Sequence, residues 1–373
     1  MGFTPPPYPY DRLEPMKAKA DALPGGAVDL SVGTPNDAPP KAVLEAMATS
    51  NTERGYPASI GSAAYRQAAA RWMQRRLGVE ISANQLAACV GTKEFVGTLP
   101  QYLHLRTPER DTILHPAIAY PTYDMGATLA GLRAVAVPVD EHWRLDLGAI
   151  TEEDAGRALA LWVNTPGNPA GQLDDLGAAA VWGRAHGVPV FSDECYVEFT
   201  WKGGPRTILS EGTEGVVAVH SLSKRSNLAG ARAGFYAGDQ DLVTYLQEVR
   251  KHAGLMVPGP IQAAAVAALD DDDHVAEQRA RYDERLKFLA RVIEERFAIE
   301  VPLPDGGFYL WIAAPNDDAW GFAEQLAAEG GALVTPGDTF GPQGAGHVRI
   351  AMVQPMERLQ LVAERLLHRS DMG

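Results

Sequence analysis

Cysteine is scarce in this chain of 373 residues, which contains only Cys89 and Cys195. Two thiols are too few for a disulfide framework or a zinc cluster, and so low a content is typical of a reducing compartment. Long apolar runs are lacking too: no uninterrupted stretch could span a bilayer, and the N-terminus has no apolar segment typical of a secretory signal. These absences predict a cytoplasmic protein with no membrane partner.

Positive charge is also in short supply, since 33 Lys and Arg residues stand against 47 Asp and Glu residues and the net charge is −14. Nucleic acids are bound by concentrated Lys and Arg, so we expect no nucleic-acid partner. The acidic residues include a run of four, Asp270 to Asp273. Adjacent carboxylates point apart, so this run predicts a solvated turn between helices rather than a metal site. We expect no bound metal.

The length of the chain predicts more than one domain, because a single hydrophobic core rarely grows to this size. Hydrophobic residues make up 46% and charged residues 21% of the sequence, as in ordinary globular proteins. The proline-rich opening predicts an extended arm, with the globular chain beginning near Ala27. We predict an N-terminal arm with part of a small domain at 1–35, a large domain at 36–255 and a small C-terminal domain at 256–373.

Short apolar segments alternate with helical patterns as far as about Gly238. The segments predicted as strands are 86–90, 111–116, 133–139, 158–164, 188–193, 216–220 and 232–238, and the helices between them include 62–78, 92–105 and 172–186. This alternation predicts an α/β protein with a mostly parallel central sheet covered by helices. Beyond Gly238, long helices at about 240–252, 260–269 and 274–297 precede three apolar segments and a final helix, which predicts a smaller α+β domain.

The segment 220–235 places three kinds of functional group close together. Ser221 and Ser223 supply hydroxyls, Lys224 supplies an amine, and Arg232 supplies a guanidinium. Hydroxyl and guanidinium groups bind phosphate monoesters, and an aldehyde cofactor needs an amine nearby. For this segment alone, a surface lysine in a polar turn remains the alternative.

Two further segments follow apolar strands and carry groups that such a cofactor needs. Ligands of open α/β sheets bind at the carboxyl ends of strands, where Asp193 lies. A carboxylate there can keep the ring nitrogen of pyridoxal phosphate protonated. Tyr196 and Asn168 can donate hydrogen bonds to the phenolic oxygen of the ring. Taken singly, Asp193 could instead cap a helix, and Asn168 could belong to an ordinary Pro/Gly/Asn turn.

Gly91, Thr92 and Lys93 open a predicted helix directly after a strand, where free N–H groups and the helix dipole favour a phosphate. An ordinary strand-to-helix turn would have the same sequence pattern. The four segments together supply a phosphate site, an acid for the ring nitrogen, donors for the phenolic oxygen and a lysine, at the ends of separate strands. We therefore predict a pyridoxal-phosphate site in the large domain.

The motifs NxPxNPxG, DECY and SxSKxxNxxxxRxG resemble those of class I and II aminotransferases, which are pyridoxal-phosphate enzymes of fold type I. The resemblance extends from about Asp29 to the C-terminus. It implies that Lys224 binds the cofactor covalently and serves as the catalytic acid and base, while Asp193 pairs with the ring nitrogen. It implies that Asn168 and Tyr196 hold the phenolic oxygen. The residues implied to bind the phosphate are Ser221, Ser223, Arg232, Thr92 and Lys93.

Other residues match positions of this family outside those motifs. Tyr120, in AYPTY, matches the ring that stacks on the cofactor beside the substrate. Arg349 matches the arginine that binds the substrate α-carboxylate, and Gly33 matches a glycine whose backbone meets the substrate, as Asn168 also does. Tyr56 matches a tyrosine that reaches the phosphate of the neighbouring subunit, which implies a homodimer with shared active sites.

The segments SVGTP, VGTKE, HSLSKxSNLA and PGDxxGPxGAxHVRIA are more similar still to succinyldiaminopimelate aminotransferases of the actinobacterial type. This resemblance implies amino-group exchange between glutamate and N-succinyl-2-amino-6-oxopimelate in lysine and diaminopimelate biosynthesis. An aminotransferase for another amino acid, or a pyridoxal-phosphate-dependent C–S lyase, would share the same lysine, aspartate and phosphate site. A non-enzymatic domain that senses the cofactor is disfavoured by the acidic composition.

The residue that meets the distal group of the substrate stays open, because the sequence does not distinguish a succinyl from an acetyl group. A succinyl carboxylate needs a cation, and the candidates are Arg12, Lys17, Arg225 and Lys251. Arg225 stands where the family usually has a smaller polar residue. It could lower the pKa of Lys224 by like-charge repulsion, but we expect its side chain to point to solvent. We expect Cys195 to be a packed side chain rather than a nucleophile. Trp311 lies on a predicted strand, and we expect it to pack in the protein core rather than contact the substrate.

Overall fold

The computed structural model describes residues 3–368, and strands alternate with helices through most of that range. The strands are, in chain order, β1 (Val28–Asp29), β2 (Leu86–Cys89), β3 (Thr112–Pro116), β4 (Arg133–Val137), β5 (Ala158–Asn164), β6 (Val190–Asp193), β7 (Val216–Ser221), β8 (Gly234–Gly238), β9 (Tyr309–Ala313), β10 (Ala332–Leu333), β11 (Thr335–Pro336) and β12 (His347–Ala351). The α-helices are α1 (Glu14–Asp21), α2 (Lys41–Ala48), α3 (Ala63–Leu77), α4 (Thr92–Arg106), α5 (Thr122–Leu129), α6 (Glu152–Arg157), α7 (Leu176–His186), α8 (Leu222–Arg225), α9 (Gln240–His252), α10 (Gly259–Asp270), α11 (Asp273–Phe297), α12 (Ala319–Gln325) and α13 (Met356–His368).

The described residues divide into two compact units. The larger unit consists of Ala38–Ala280 and Asp305–Gly307, and the smaller unit consists of the remaining described residues. The chain passes from the larger unit to the smaller one within α11. The three-part domain division expected from the sequence, at 1–35, 36–255 and 256–373, stays a prediction.

A seven-stranded sheet forms the centre of the larger unit, with the strand order β2–β8–β7–β6–β5–β3–β4. β8 runs antiparallel to β2 and to β7, and the other neighbouring pairs are parallel. The sequence did not predict the reversal of β8, whose connection from β7 holds only the short α8 and a 3₁₀ turn instead of a long crossover helix. The predicted α/β class with a mostly parallel central sheet is confirmed.

Apolar side chains cover both faces of this sheet, because successive residues of a strand point to opposite faces. In β5, Leu161 and Val163 belong to one buried cluster, and Trp162 belongs to another. Every residue of β5 is buried. A strand that is buried on both faces favours a continuous apolar sequence, which is why the sequence alone predicted this strand.

Helix α3 begins and ends where its sequence predicts. The side chain of Ser62 accepts a hydrogen bond from the N–H of Tyr65 at 3.2 Å, and Gly78 closes the helix at φ 70°. The buried residues of α3 recur at helical spacing along one face: Tyr65, Ala68, Ala69, Trp72, Met73 and Leu77.

The run of acidic residues at 270–273 does form a turn between helices, as predicted, but its carboxylates are engaged. Asp270 lies 2.7 Å from Arg71, and Asp272 lies 2.9 Å from Arg75. Both arginines belong to α3, so the run attaches the end of α10 to that helix.

The smaller unit contains an antiparallel sheet of order β11–β12–β9 and a parallel pair formed by β1 and β10. The expectation of an extended arm before Ala27 is wrong in its second half, where α1 forms. Leu13, Met16 and Ala20 are buried at helical spacing. Pro15 lies in the first turn of α1, where proline is tolerated because its missing N–H would have no partner in the helix.

Every helix within residues 3–368 is too short or too polar to traverse a bilayer. In the same part of the chain, no group of three or more His, Cys, Asp or Glu side chains is placed to hold a metal ion.

Candidate active site

Three neighbouring strands of the large sheet each end in a polar residue, at the side of the sheet where their carboxyl ends lie. Asn164 ends β5, Asp193 ends β6, and Ser221 ends β7. Asn164 and Asp193 are paired in the register of β5 with β6. Parallel strands present their carboxyl ends at the same edge, so residues far apart in sequence come together there.

Asp193 is a buried carboxylate surrounded by hydrogen-bond donors. Burial raises its pKa, while hydrogen bonds from Cys195 and Tyr123 and the charge of Lys224 act in the opposite direction. The hydroxyl of Tyr123 donates to Oδ2 at 2.8 Å, and the N–H of Cys195 donates to Oδ1 at 3.2 Å. The donors and the positive charge stabilise the charged form of Asp193 and offset part of the effect of burial, and the net shift of its pKa is upward.

Tyr123 is a residue of this site that the sequence did not reveal. Burial, followed by the nearby Asp193, raises the pKa of its phenol, so the hydroxyl keeps its proton and remains a donor. Its ring lies 6.3 Å from the ring of Tyr120 in an edge-on arrangement. The only signal in the sequence was its position in AYPTY, three residues after the tyrosine that the family resemblance singled out.

The side-chain amide of Asn164 makes hydrogen bonds to two different segments of the site. Its Nδ2 donates to the main-chain oxygen of Asp193 at 2.9 Å, and its Oδ1 accepts from the N–H of Asn168 at 2.8 Å. Asn168 and Tyr196 are both buried. The side chain of Asn164 therefore connects the two segments that supply the expected phenolic-oxygen donors.

Lys224 is the third residue of the four-residue helix α8 and is partly buried. Ser221 begins this helix, because its Oγ accepts a hydrogen bond from the N–H of Ser223 at 3.1 Å. The charge of Lys224 opposes the rise in the pKa of Asp193 that burial causes, so the two expected catalytic groups interact electrostatically. The structure thus brings together the amine and the carboxylate that the sequence singled out.

The expected phosphate site is built from Gly91, the start of α4 and Arg232. Gly91 has φ 74°, and a Cβ at this position would overlap the guanidinium of Arg232. The Nη1 of that guanidinium donates to the main-chain oxygen of Ala229 at 2.9 Å. The hydroxyl of Thr92 accepts from the thiol of Cys195 at 3.3 Å. A glycine that makes room for a guanidinium beside a helix start fits a phosphate monoester.

Lys93 and Tyr120 lie beside this phosphate site. The Nζ of Lys93 is 5.8 Å from the centre of the Tyr120 ring. Tyr120 is partly buried, whereas Tyr56 is 99% exposed. The chain itself does not bury Tyr56, and its expected contact with a second subunit stays a prediction.

Arg349 and Gly33 belong to the smaller unit. Arg349 lies on β12 and is only 1% exposed, and its Nη2 donates to the main-chain oxygen of Ser31 and to the hydroxyl of Tyr10 at 3.3 Å. A Cβ at Gly33 would overlap the hydroxyl of Tyr309, whose ring centre lies 4.5 Å from the Arg349 guanidinium. No sequence pattern pointed to Tyr10, since its partner lies more than three hundred residues away.

The expectation that Arg225 points to solvent is wrong. Arg225 is only 3% exposed, and its guanidinium lies 3.2 Å from carboxylate oxygens of both Glu198 and Asp272. These partners come from separate parts of the chain, so local sequence could not reveal them. The expected packing of Cys195 and of Trp311 is observed, since both are buried, and burial raises the pKa of the Cys195 thiol.

A lysine, a buried carboxylate and the expected phosphate site, all at the ends of strands of a mostly parallel sheet, fit a pyridoxal-phosphate enzyme. The family model described as aminotransferase class I and II matches residues 26–366. The chain belongs to the class I and II aminotransferases, which use pyridoxal 5′-phosphate, act on small amino and keto acids and commonly work as dimers. The predicted family, fold type and cofactor are confirmed.

Three comparisons describe the relatives of this chain. It is 41% identical over 369 residues to the 4-dedimethylamino-4-oxo-anhydrotetracycline transaminase OxyQ of Streptomyces rimosus, which covers 97% of this chain and 99% of the relative. It is 34% identical over 375 residues to an LL-diaminopimelate aminotransferase of Aquifex aeolicus, which covers 97% and 96% of the two chains. A solved structure of a probable N-succinyldiaminopimelate aminotransferase from Thermus thermophilus matches with a TM-score of 0.86 and 32% identity, covering 96% of this chain and 99% of that chain.

Proposed function

We propose that this aminotransferase exchanges an amino group between glutamate and N-succinyl-2-amino-6-oxopimelate in lysine and diaminopimelate biosynthesis. The observation that carries the proposal is the set of sequence segments similar to succinyldiaminopimelate aminotransferases, from SVGTP to HVRIA. The likeness to the Thermus protein and to the Aquifex enzyme supports a diaminopimelate-type substrate.

In the proposed reaction, bound pyridoxal phosphate supplies an aldehyde that combines with amino groups and a ring that accepts an electron pair. Lys224 would hold the cofactor through its Nζ, and the same amine would serve as the base that removes the proton from the substrate Cα and as the acid that returns it. Asp193 would pair with the ring nitrogen and help it to keep its proton, and the hydrogen bond from Tyr123 at 2.8 Å favours the charged form of Asp193. Asn168 and Tyr196 hold the phenolic oxygen.

Several donors of the proposed phosphate site lie where a strand ends or a helix begins: Ser221 ends β7, and Thr92 and Lys93 begin α4. The phosphate is bound by Thr92, Lys93, Ser221, Ser223 and Arg232, with Tyr56 supplied by a second subunit of a homodimer. Tyr120 would stack on the ring of the bound cofactor. Arg349 binds the substrate α-carboxylate through its two-pronged guanidinium, and the backbone of Gly33 meets the substrate.

The distal carboxylate of a succinylated substrate needs a further cation. Arg225 is eliminated from the four candidates because it is buried among carboxylates. Arg12 lies 3.0 Å from Asp338, and Lys251 lies 3.6 Å from Glu248. Lys17 is exposed on α1. These three remain the candidates for the distal group.

The likeness to OxyQ favours a second candidate function. Its 41% identity exceeds the identity to the diaminopimelate enzyme, and OxyQ is a transaminase of an anhydrotetracycline ketone. An aminotransferase for a polycyclic ketone would keep the same lysine, carboxylate and phosphate site, and it would not need a second carboxylate-binding cation.

A single-turnover screen of amino donors tests the proposed substrate. The absorption of the bound cofactor is followed after mixing with succinyldiaminopimelate, LL-diaminopimelate, acetylornithine, glutamate or an aromatic amino acid. We expect the fastest conversion with succinyldiaminopimelate and glutamate. Fastest conversion with any other donor would refute the proposed substrate, and release of ammonia with pyruvate would indicate a lyase.

A further inference from the structure

Arg225, which directly follows Lys224, is the centre of a buried charge cluster. Its Nε lies 3.2 Å from Oε1 of Glu198, and its Nη2 lies 3.2 Å from Oδ1 of Asp272. The same guanidinium donates to the main-chain oxygen of Ala268, at the end of α10. The Arg225 side chain thus contacts two segments that are distant from it in sequence, one at Glu198 and one at 268–272.

The two carboxylates of this cluster are themselves held in place from α3. Glu198 accepts from Nε1 of Trp72 at 2.7 Å and from Arg76 at 2.9 Å. Asp272 accepts from Arg75 at 2.9 Å. Arg225 is therefore bound to groups whose own positions are fixed by a fifteen-residue helix.

The segment that carries Glu198 is the one that carries the expected cofactor ligands. Asp193 ends β6, and Tyr196 and Glu198 follow within five residues, all of them buried. The contact of Arg225 with Glu198 thus joins the segment of Lys224 to the segment of Asp193 and Tyr196.

Helix α8 cannot orient Lys224 by itself. It has four residues, which is about one turn, and so short a helix has too few internal hydrogen bonds to be stable alone. Its orientation must come from contacts with neighbouring elements, and Arg225 makes those contacts from the position next to the lysine.

Stability alone does not account for a guanidinium at this place. Burial lowers the pKa of Arg225, and Glu198 and Asp272 oppose that effect. A buried ion pair is often no more stabilising than apolar side chains of similar volume, because removing two charges from water costs about as much as their attraction returns. Several directional contacts from one side chain do, however, fix a geometry that apolar packing would leave less defined.

We propose that Arg225 is a positioning residue for Lys224. It holds α8 against the segment of Asp193 and Tyr196 and thereby sets the direction of the Lys224 amine. The inference rests on the proposed role of Lys224 in the aminotransferase reaction.

The test compares Arg225→Met, which keeps an unbranched stem without charge, with the wild-type holoenzyme. We expect kcat for the glutamate half-reaction to fall about tenfold or more, because small misplacements of a reacting group have effects of this size. The KM for glutamate should change less than about twofold, because the proposed role of Arg225 is to position Lys224 and not to bind the substrate.

A second readout does not depend on turnover. The visible absorption of the bound cofactor is titrated with pH, and we expect its midpoint to move in Arg225→Met because the amine is placed differently. The charged and titratable groups that surround Arg225 in this titration are Arg75, Arg76, Glu198, Asp271, Asp272 and His274.

Arg71→Gln is the matched control. Arg71, on α3, pairs with Asp270 at the end of α10 at 2.7 Å, so it makes a neighbouring ion pair at a partly exposed site. We expect this variant to lose a little thermal stability and to keep the wild-type kcat and absorption midpoint.

The outcomes separate a positioning role from a structural one. Wild-type kcat and midpoint in Arg225→Met, with only a lower Tm, would overturn the inference. If Arg225→Met does not fold, Arg225→Lys and Asp272→Asn are judged by the same two readouts. A wild-type protein that does not attach the cofactor at Lys224 would refute the proposed function itself, whatever the Arg225 variants do.

Discussion

The proposed ring-nitrogen partner, Asp193, lies in surroundings that oppose its charge. Burial raises its pKa, and the donors around it restore part of the preference for the ionised form. The Tyr123 hydroxyl is one of those donors and lies 2.8 Å from Oδ2. The ionisation of this carboxylate therefore depends on a residue that is not expected to touch the cofactor itself.

Removing the phenol in Tyr123→Phe should raise the pKa of Asp193 further. The carboxylate would then take up its proton at a higher pH, so the acid limb of the kcat profile should move to higher pH. At neutral pH we expect kcat to fall about tenfold, since a hydrogen bond to a charged group contributes about 1.5–3 kcal/mol. Steady-state kinetics across the pH range measures both effects.

Tyr245→Phe controls for the general loss of a phenol hydrogen bond. Its hydroxyl donates to the main-chain oxygen of Tyr102 at 2.6 Å, away from the carboxylate. The pH profile of this variant should match the wild type. An unchanged acid limb in Tyr123→Phe would contradict the role assigned to Tyr123.

The location of a single residue could be predicted from the sequence where the residue lies at or just after the end of a strand. Lys224 and Asp193 follow apolar strands, and the carboxyl ends of parallel strands share an edge. Arg225 could not be placed this way, since its partners Glu198 and Asp272 come from other elements. Tyr123 was missed for the same reason, because its partner comes from β6.

At the scale of elements, the start of α4 depends on Gly91. This residue has φ 74°, and a Cβ there would meet the guanidinium of Arg232. The helix start and the guanidinium can lie together only because the residue between them has no side chain.

Gly91→Ala should therefore weaken cofactor binding as well as stability. An alanine at positive φ costs about 1–2 kcal/mol. The added methyl group should also displace Arg232 and raise the Kd for pyridoxal phosphate about tenfold or more, as expected for the loss of a charge-assisted hydrogen bond. A fluorescence titration of the apoenzyme measures the Kd.

Gly78→Ala provides the matched comparison. Gly78 ends α3 with φ 70°, and a Cβ there would meet no atom within 4 Å. This variant should lose similar stability and keep the wild-type Kd. If both alanine variants bound pyridoxal phosphate with the same Kd, Gly91 would be needed only for its backbone conformation and not for cofactor binding.

Elements with clear end signals were predicted well. Ser62 and Gly78 bound α3 in the structure as they do in the sequence pattern. The helix α1 was missed, because its prolines suggested an extended chain although Pro15 lies in a first turn that tolerates it. Local signals therefore predict an element unless a residue type, such as proline here, is compatible with two different structures.

At the scale of the whole molecule, the alternation of strands and helices was enough to predict the α/β class. The strand order was not predictable, since β8 reverses between β2 and β7. Nor does any local pattern show that Asp305–Gly307 belongs to the larger unit. The N–H of Gly306 donates to the main-chain oxygen of Gly171 at 2.9 Å, a contact between distant segments. The homodimer stays a prediction at this scale.

The attachment of the cofactor to Lys224 is the claim on which the account depends. The purified protein is incubated with pyridoxal phosphate, reduced with borohydride and digested, and the modified lysine is located by mass spectrometry. The account predicts a modified Lys224 in the wild type and no attachment and no transamination in Lys224→Ala. A modification at another lysine, or full transamination by Lys224→Ala, would contradict it.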